Sequence, residues 1–308
     1  MADKMATRQA YGKTLVELGK THPELVVMDA DLSKSTMTHD FGVEYPERFF
    51  NMGIAEANMY AAAAGLAFSG KTVCASTFAM FAAGRAFEII RNSIGYPHAN
   101  VKICATHAGI TVGEDGATHQ TFEDLALMRT IPGMTVLNPS DGVSAAKLIT
   151  AAVEMEGPCY IRLGRASVPV TYTEADEIVI GKANTLKEGT DITIIATGIM
   201  VNEALMAAEE LAASGISARV VDMHTIKPLD RDAIIKAAKE TKGIVTAEEH
   251  SVIGGLGAAV SEVVTEEAPC KVIKVGQHDT FGESGKPDEL KAKYGMTAAD
   301  IVAAAKLI

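Results

Sequence analysis

Short, nearly continuous runs of aliphatic and β-branched residues alternate along the chain with longer alanine-rich segments whose apolar positions recur at helical spacing. A run without a polar side reads as a strand buried on both faces, and a helix between two such runs is the crossover that a parallel pair needs. The spacing predicts a helix over 7–20, with Leu15 and Leu18 on one face, then a buried strand Leu25–Met28 that ends at Asp29-Ala30-Asp31. A helix over 55–68 leads to a strand at 72–75, and a helix over 81–94 leads to a strand at 101–106 ending at His107. Strands at 135–137 and 159–163 flank a helix over 142–155.

The pattern then breaks. Residues 168–177 carry polar turn formers without helical periodicity, and the connector extends to Gly189-Thr190. Beyond it the alternation resumes: strand 192–196, helix 202–214, strand 218–222, helix 231–241 and strand 243–247. A helix opened by Gly254-Gly255-Leu256-Gly257, a strand at 271–275 and a C-terminal helix complete the chain. Such alternation is the signature of the α/β class. It predicts two three-layer domains with mainly parallel sheets, over 1–170 and 191–308, joined by a linker over 171–190.

The length of 308 residues fits two domains at roughly 150 residues each. A net charge of -11 argues against a nucleic-acid surface, so an anionic substrate would depend on a few placed cations. The cysteines Cys74, Cys104, Cys159 and Cys270 are scattered without a C-x-x-C pair, as expected of free thiols in a reducing compartment. The N-terminal residues are polar, and the longest apolar stretch, Tyr60 to Phe68, is far short of a membrane span. A soluble, cytoplasmic protein is expected.

Ligands of open parallel sheets bind beyond the carboxyl ends of the strands. Asp31, Ser35, His107 and Arg165 all closely follow predicted strands, so these distant residues can converge. Glu56 heads an apolar, small-residue segment, where a carboxylate is costly to bury unless it is protonated or paired. It either complements a helix N-terminus or donates and shares a proton near neutral pH. In Gly113-Glu114-Asp115-Gly116-Ala117-Thr118-His119-Gln120, glycines bracket titratable groups, as in a loop shaped for close approach of a ligand. Ordinary structural roles stay open for each: a histidine satisfied by a backbone carbonyl at His107, surface charges at Arg8, Lys34 and Arg165, core packing at Phe78 and Phe81. The glycine patch at 254–257 suggests a phosphate loop but lacks the G-x-G-x-x-G spacing.

Taken in order, Asp29-Ala-Asp-Leu-Ser-Lys-Ser35, Asn51-Met-Gly-Ile-Ala-Glu56, Ser76-Thr-Phe78, the Gly113–Gln120 loop, Arg162-Leu-Gly-Arg165 and Thr225-Ile-Lys-Pro-Leu-Asp230 resemble the transketolase family of thiamine-diphosphate enzymes. The resemblance spans essentially the whole chain and covers the pyrimidine-binding and C-terminal domains; the 113–120 loop is its most specific part. It implies that Glu56 hydrogen-bonds N1′ of the cofactor's aminopyrimidine, that Phe78 and Phe81 pack around that ring, and that Asp31 lies near the cofactor. It implies contacts from His107, Asp115 and His119 to sugar hydroxyls and carbonyl, and from Arg8, Ser35 and Arg165 to phosphate. Glu56, His107 and His119 would then be catalytic. A third pocket aromatic of the family would fall near Gly84, a departure that leaves one wall open.

A second departure is the missing Gly-Asp-Gly motif and following Asn that hold Mg²⁺ and the diphosphate. The resemblance therefore implies the C-terminal subunit of a split transketolase, with no metal ligands of its own. An N-terminal partner would supply the Mg²⁺ site, in an α₂β₂ heterotetramer moving two-carbon ketol units between sugar phosphates of the pentose phosphate pathway. Two relatives share the architecture. 1-Deoxyxylulose-5-phosphate synthase carries an Arg where His107 stands, and β subunits of 2-oxo acid dehydrogenases lack the 113–120 pattern. A non-catalytic scaffold or regulatory subunit is the alternative outside enzymology; the retained Glu56, His107, Asp115, His119 and both arginines count against it.

Overall fold

The computed structural model describes residues 4–308. Fourteen strands occur among them: β1 (Lys4–Ala6), β2 (Leu25–Asp29), β3 (Phe49–Asn51), β4 (Thr72–Phe78), β5 (Val101–Thr106), β6 (Thr135–Leu137), β7 (Cys159–Arg162), β8 (Ser167–Pro169), β9 (Asn184–Lys187), β10 (Ile192–Ala196), β11 (Ala218–Asp222), β12 (Thr225–Lys227), β13 (Gly243–Ser251) and β14 (Lys271–Gln277). They form a seven-stranded sheet in the order β12-β6-β7-β5-β4-β2-β3, a five-stranded sheet in the order β14-β13-β10-β11-β9, and the small pair β1-β8. All pairings in the two large sheets are parallel except the edge pairs β12–β6 and β11–β9.

Period-two alternation explains why the central strands look apolar throughout. In β2, Leu25 and Val27 pack on one face with the helices Thr7–Thr21 and Gly142–Glu154, while Val26 and Met28 pack on the other with the helix Glu56–Phe68. Cys74 and Cys104 follow the first face, and Ala75 and Ile103 the second. The helix Gly142–Glu154 starts where it does because Asp141 caps it, its Oδ1 accepting the Ser144 N–H at 2.8 Å. All four cysteines are free, three of them buried. No helix among the described residues is long and apolar enough to cross a membrane.

Four elements differ from the spacing-based reading. The expected helix over 81–94 is two π-helical turns, Phe81–Arg85 and Ile90–Gly95, around a short α turn at Phe87–Ile89. The connector contributes β8, which pairs with β1, and β9, which edges the second sheet. The chain beyond β14 holds two helices, Pro287–Lys293 and Ala298–Ala305. Finally, β12 from the second half pairs with β6, so the first sheet is completed by the second half of the chain.

The glycine patch is not an open anion site. Glu248, fully buried on β13, fills the start of the helix Leu256–Glu267 with its own carboxylate, accepting the N–H groups of Leu256 at 2.6 Å and Gly257 at 2.8 Å. A Cβ at Gly255 would fall 2.0 Å from Glu248 Oε2, so the glycine makes room for a protein carboxylate instead of a phosphate. Burial pushes the Glu248 carboxyl up to about 7.

Candidate active site

The paired positions Asp29–Ser76, Phe78–Thr106 and Ala105–Arg162 place the carboxyl ends of β2, β4, β5 and β7 along one edge of the large sheet. Every candidate residue after Arg8 lies in a segment leaving that edge or in the helix or loop that follows it. Arg8 itself sits in the first turn of Thr7–Thr21.

Glu56 opens the helix Glu56–Phe68 and is only 2% exposed. Its partner is Arg85, whose Nη1 donates to Oε1 at 3.0 Å and Oε2 at 3.1 Å. Arg85 is half exposed and lies 4.5 Å from the Phe81 ring centroid. The π-helical turn ends at Arg85, next to the Gly84 position where the family's third aromatic would fall, and the guanidinium faces the Phe81 ring. Sequence reasoning missed Arg85; its adjacency to Gly84 was the available signal. Tyr60, also on this helix, has a buried hydroxyl without a partner.

The aromatic residues stack. Phe78 lies between His107, with centroids 3.9 Å apart, and Phe81, 5.9 Å apart. His119 meets Phe81 edge-on at 5.3 Å. His107 leaves β5 with φ at 56°, a left-handed conformation that a non-glycine residue rarely adopts and that turns the chain sharply at the sheet edge. Its Nδ1 pairs with Thr106 Oγ1 at 2.9 Å, so its partner is a hydroxyl and not a backbone carbonyl. Burial, reinforced by Arg8, Arg165 and His119, lowers its pKa to about 3, which makes it a neutral imidazole at physiological pH.

The cations gather behind this stack. Arg8 Nη1 donates to the Ser35 carbonyl at 2.6 Å, and its own pKa is lowered by burial and by Arg165. Ser35 is carried there by a turn built on Asp29, whose buried carboxylate accepts the hydroxyls of Thr36 at 2.6 Å and Thr38 at 3.0 Å. Arg165 reaches the Val112 carbonyl and pairs with the exposed Glu114 at 2.9 Å. Asp31 is exposed, with φ at 66°, and bonds Asn51 Nδ2 at 3.1 Å. Asp115 is exposed and His119 half-buried on the 113–120 loop. Glu56, Phe78, Phe81, His107 and His119 thus form one connected surface through Arg85, and Arg8, Ser35 and Arg165 stand beside His107.

A family model for the transketolase pyrimidine-binding domain matches residues 3–171, and one for the transketolase C-terminal domain matches 181–301. The chain belongs to the transketolase family. It is 53% identical over 297 residues to a putative transketolase C-terminal section of Methanocaldococcus jannaschii, covering 96% of this chain and 93% of that protein. It is 44% identical to a 6-deoxy-6-sulfo-D-fructose transketolase subunit of a Clostridium species, covering 97% of this chain and 92% of that one. Mouse transketolase is 40% identical, and there the match spans 49% of the longer protein. A solved structure described as a split-gene transketolase, inactive β4 tetramer, superposes with a TM-score of 0.93 at 58% identity and covers 98% of both chains. The chain thus spans the pyrimidine-binding and C-terminal domains of the transketolase family.

The family implies thiamine diphosphate, and the residues present suit the aminopyrimidine end of that molecule. A buried carboxylate, a flat aromatic surface and the orphaned Tyr60 hydroxyl are what a ring with polar edges requires. Among the described residues, no group of three or more His, Cys, Asp or Glu side chains is placed to hold a metal ion.

Proposed function

We propose that this chain is the C-terminal subunit of a transketolase that transfers a two-carbon ketol unit from a ketose phosphate to an aldose phosphate. The observation that supports this best is the continuity from buried Glu56 through Arg85, Phe81 and Phe78 to neutral His107, with Arg8 and Arg165 beside it.

In this reading Glu56 holds the aminopyrimidine N1′, Phe78 and Phe81 pack against the ring, and Asp31 lines its approach. Thiamine diphosphate, when bound, supplies the carbanion chemistry. Neutral His107 can both donate and accept, which suits a sugar hydroxyl or carbonyl, and His119 and Asp115 reach the same substrate from the loop. Arg8 and Arg165 receive the phosphate, and Ser35 fixes Arg8; Glu114 must yield one arm of Arg165 to do so. Arg85 must likewise release a Glu56 oxygen before a pyrimidine can reach it.

A second chain, bearing the diphosphate and Mg²⁺ site, completes the enzyme as an α₂β₂ tetramer, and the chain alone is inactive. The inactive β4 state of the similar solved protein supports that division of labour. Because one relative is named for a sulfonated sugar, the anionic end of the substrate is the feature that Arg8 and Arg165 are best suited to read.

Mixing this chain with its partner, thiamine diphosphate and Mg²⁺ should restore ketol transfer from xylulose 5-phosphate to ribose 5-phosphate. Full activity of the partner-free chain would overturn the split reading. Pyruvate-dependent activity after mixing would favour 1-deoxyxylulose-5-phosphate synthase or a 2-oxo acid dehydrogenase instead.

A further inference from the structure

The proposed site residues all lie between Arg8 and Arg165, yet the loop carrying Asp115 and His119 is fastened to the second half of the chain, beyond the connector. The Thr111 N–H donates to Glu249 Oε1 at 2.6 Å, a buried bond between residues 138 positions apart. Gln120 Nε2 donates to the Glu283 carbonyl at 2.9 Å, and the Ser251 N–H donates to the Phe122 carbonyl at 2.9 Å. Ile110 and Phe122, which flank the loop, belong to the same core cluster as Val275 and Leu290 of the second half. Arg162 closes the junction from below: its Nη2 donates to the Glu249 carbonyl at 2.9 Å and its Nε to Asp124 Oδ2 at 2.8 Å.

Two glycines of this segment are explained by the same contact. Gly109 and Gly116 both have φ at +77°; a Cβ would fall 2.3 Å from Glu249 Cδ at the first and 2.5 Å from Ser284 Oγ at the second. The close approach that these glycines permit is to the second half of the chain, to the buried Glu249 at the first and the exposed Ser284 at the second.

We propose that the C-terminal half is the template that sets the substrate loop, with Glu249 as a positioning residue acting through Thr111 on the placement of Asp115 and His119. The role of Asp115 and His119 in sugar binding rests on the transketolase reading; the fastening of the loop does not. A carboxylate acceptor for a buried N–H is stronger than a neutral one, so its removal should release the loop locally.

Two measurements test this. In the chain alone, Glu249→Ala should speed amide hydrogen exchange at Thr111 and across the 110–120 loop by about tenfold or more, leaving β2 and β4 protected. In the reconstituted complex the same variant should raise KM for the ketose phosphate by about tenfold while thiamine-diphosphate affinity stays within about twofold. Glu249→Gln, which keeps an acceptor oxygen, should restore most of both. Gln120→Ala, which cuts the second tether, should give a smaller change in the same direction, and it serves if Glu249→Ala fails to fold. Parent-like exchange in the loop, or exchange raised evenly throughout the chain with KM and cofactor affinity lost together, would overturn the proposal. If the parent complex shows no ketol transfer, the transketolase reading fails, and the exchange pattern alone still decides whether Glu249 sets the loop.

Discussion

Glu56 and Glu248 are both glutamates buried at helix starts, Glu56 within a run that suggests a ligand and Glu248 reaching from β13 into one, yet the structure treats them in opposite ways. Glu248 is sealed: its two oxygens take the first N–H groups of the helix Leu256–Glu267, and the glycines around it leave room for nothing else. Glu56 opens its own helix, and the group that covers it is a half-exposed arginine at the end of a π-helical turn. A buried carboxylate satisfied by backbone is structural. One satisfied by a long, half-solvated side chain can change partners, because a few rotamer changes free it.

The sharpest way to break this contrast is Glu56→Gln. It should fold normally and lower turnover of the reconstituted enzyme by about two orders of magnitude or more, read as kcat in a ketol-transfer assay. Near-parent turnover would make Glu56 as structural as Glu248. Next in size, Arg8→Ala and Arg165→Ala should each weaken phosphorylated sugars by roughly tenfold to a hundredfold, since a charge-assisted bond contributes about 1.5 to 3 kcal/mol. Unphosphorylated analogues should change little, and equal losses on both would remove the phosphate assignment.

Glu248 makes the opposite prediction, one about stability. Its folded pKa of about 7 lies above the ordinary 4.5 of a glutamate. The neutral form is therefore the one the fold prefers: its stabilisation is fully present below about pH 4.5 and lost as pH rises through about 7. Glu248→Gln cannot ionise, so its Tm relative to the parent should improve by a few degrees between about pH 5 and about pH 8. A constant difference would mean that Glu248 ionises without cost. The smallest effect concerns Arg85. Because its side chain is 52% exposed, a double-mutant cycle of Arg85→Ala with Glu56→Gln should give a coupling in stability of about 1 kcal/mol or less. A coupling of about 3 kcal/mol or more would mean that Glu56 is sealed after all.

The strands β2 and β10 were legible in the sequence because burial on both faces leaves a nearly unbroken apolar run, and β5, β6 and β11 because aliphatic and β-branched residues still dominate them despite Lys102, Arg219 and Asp222. The convergence of Ser35, His107 and Arg165 was legible too, since a parallel sheet brings its carboxyl ends to one edge; Arg8, in the first turn of Thr7–Thr21, follows none of the expected strands and was tied to them only by the family resemblance. What escaped notice depends on distant partners. A three-residue strand such as β12 has no pattern of its own and exists because β6 offers an unpaired edge. The π-helical turns keep an apolar spacing close to that of an α-helix, so only their hydrogen bonds give them away. Nothing near Gly254 in the chain indicates that Glu248 fills its helix start, because that contact forms only once β13 and the helix have packed.

The pairing of β12 with β6 also bears on how this protein could be cut or recombined. A break in the connector near 171–183 looks, on the chain, like a natural place to separate two modules. The fragment ending there would lose the strand that covers β6 and would display a bare row of backbone N–H and C=O groups. Such a rim invites strand addition from neighbouring molecules. Shuffling between relatives should therefore carry residues up to Lys227 along with the first half, or the hybrid will trade a sheet margin for an aggregation seed.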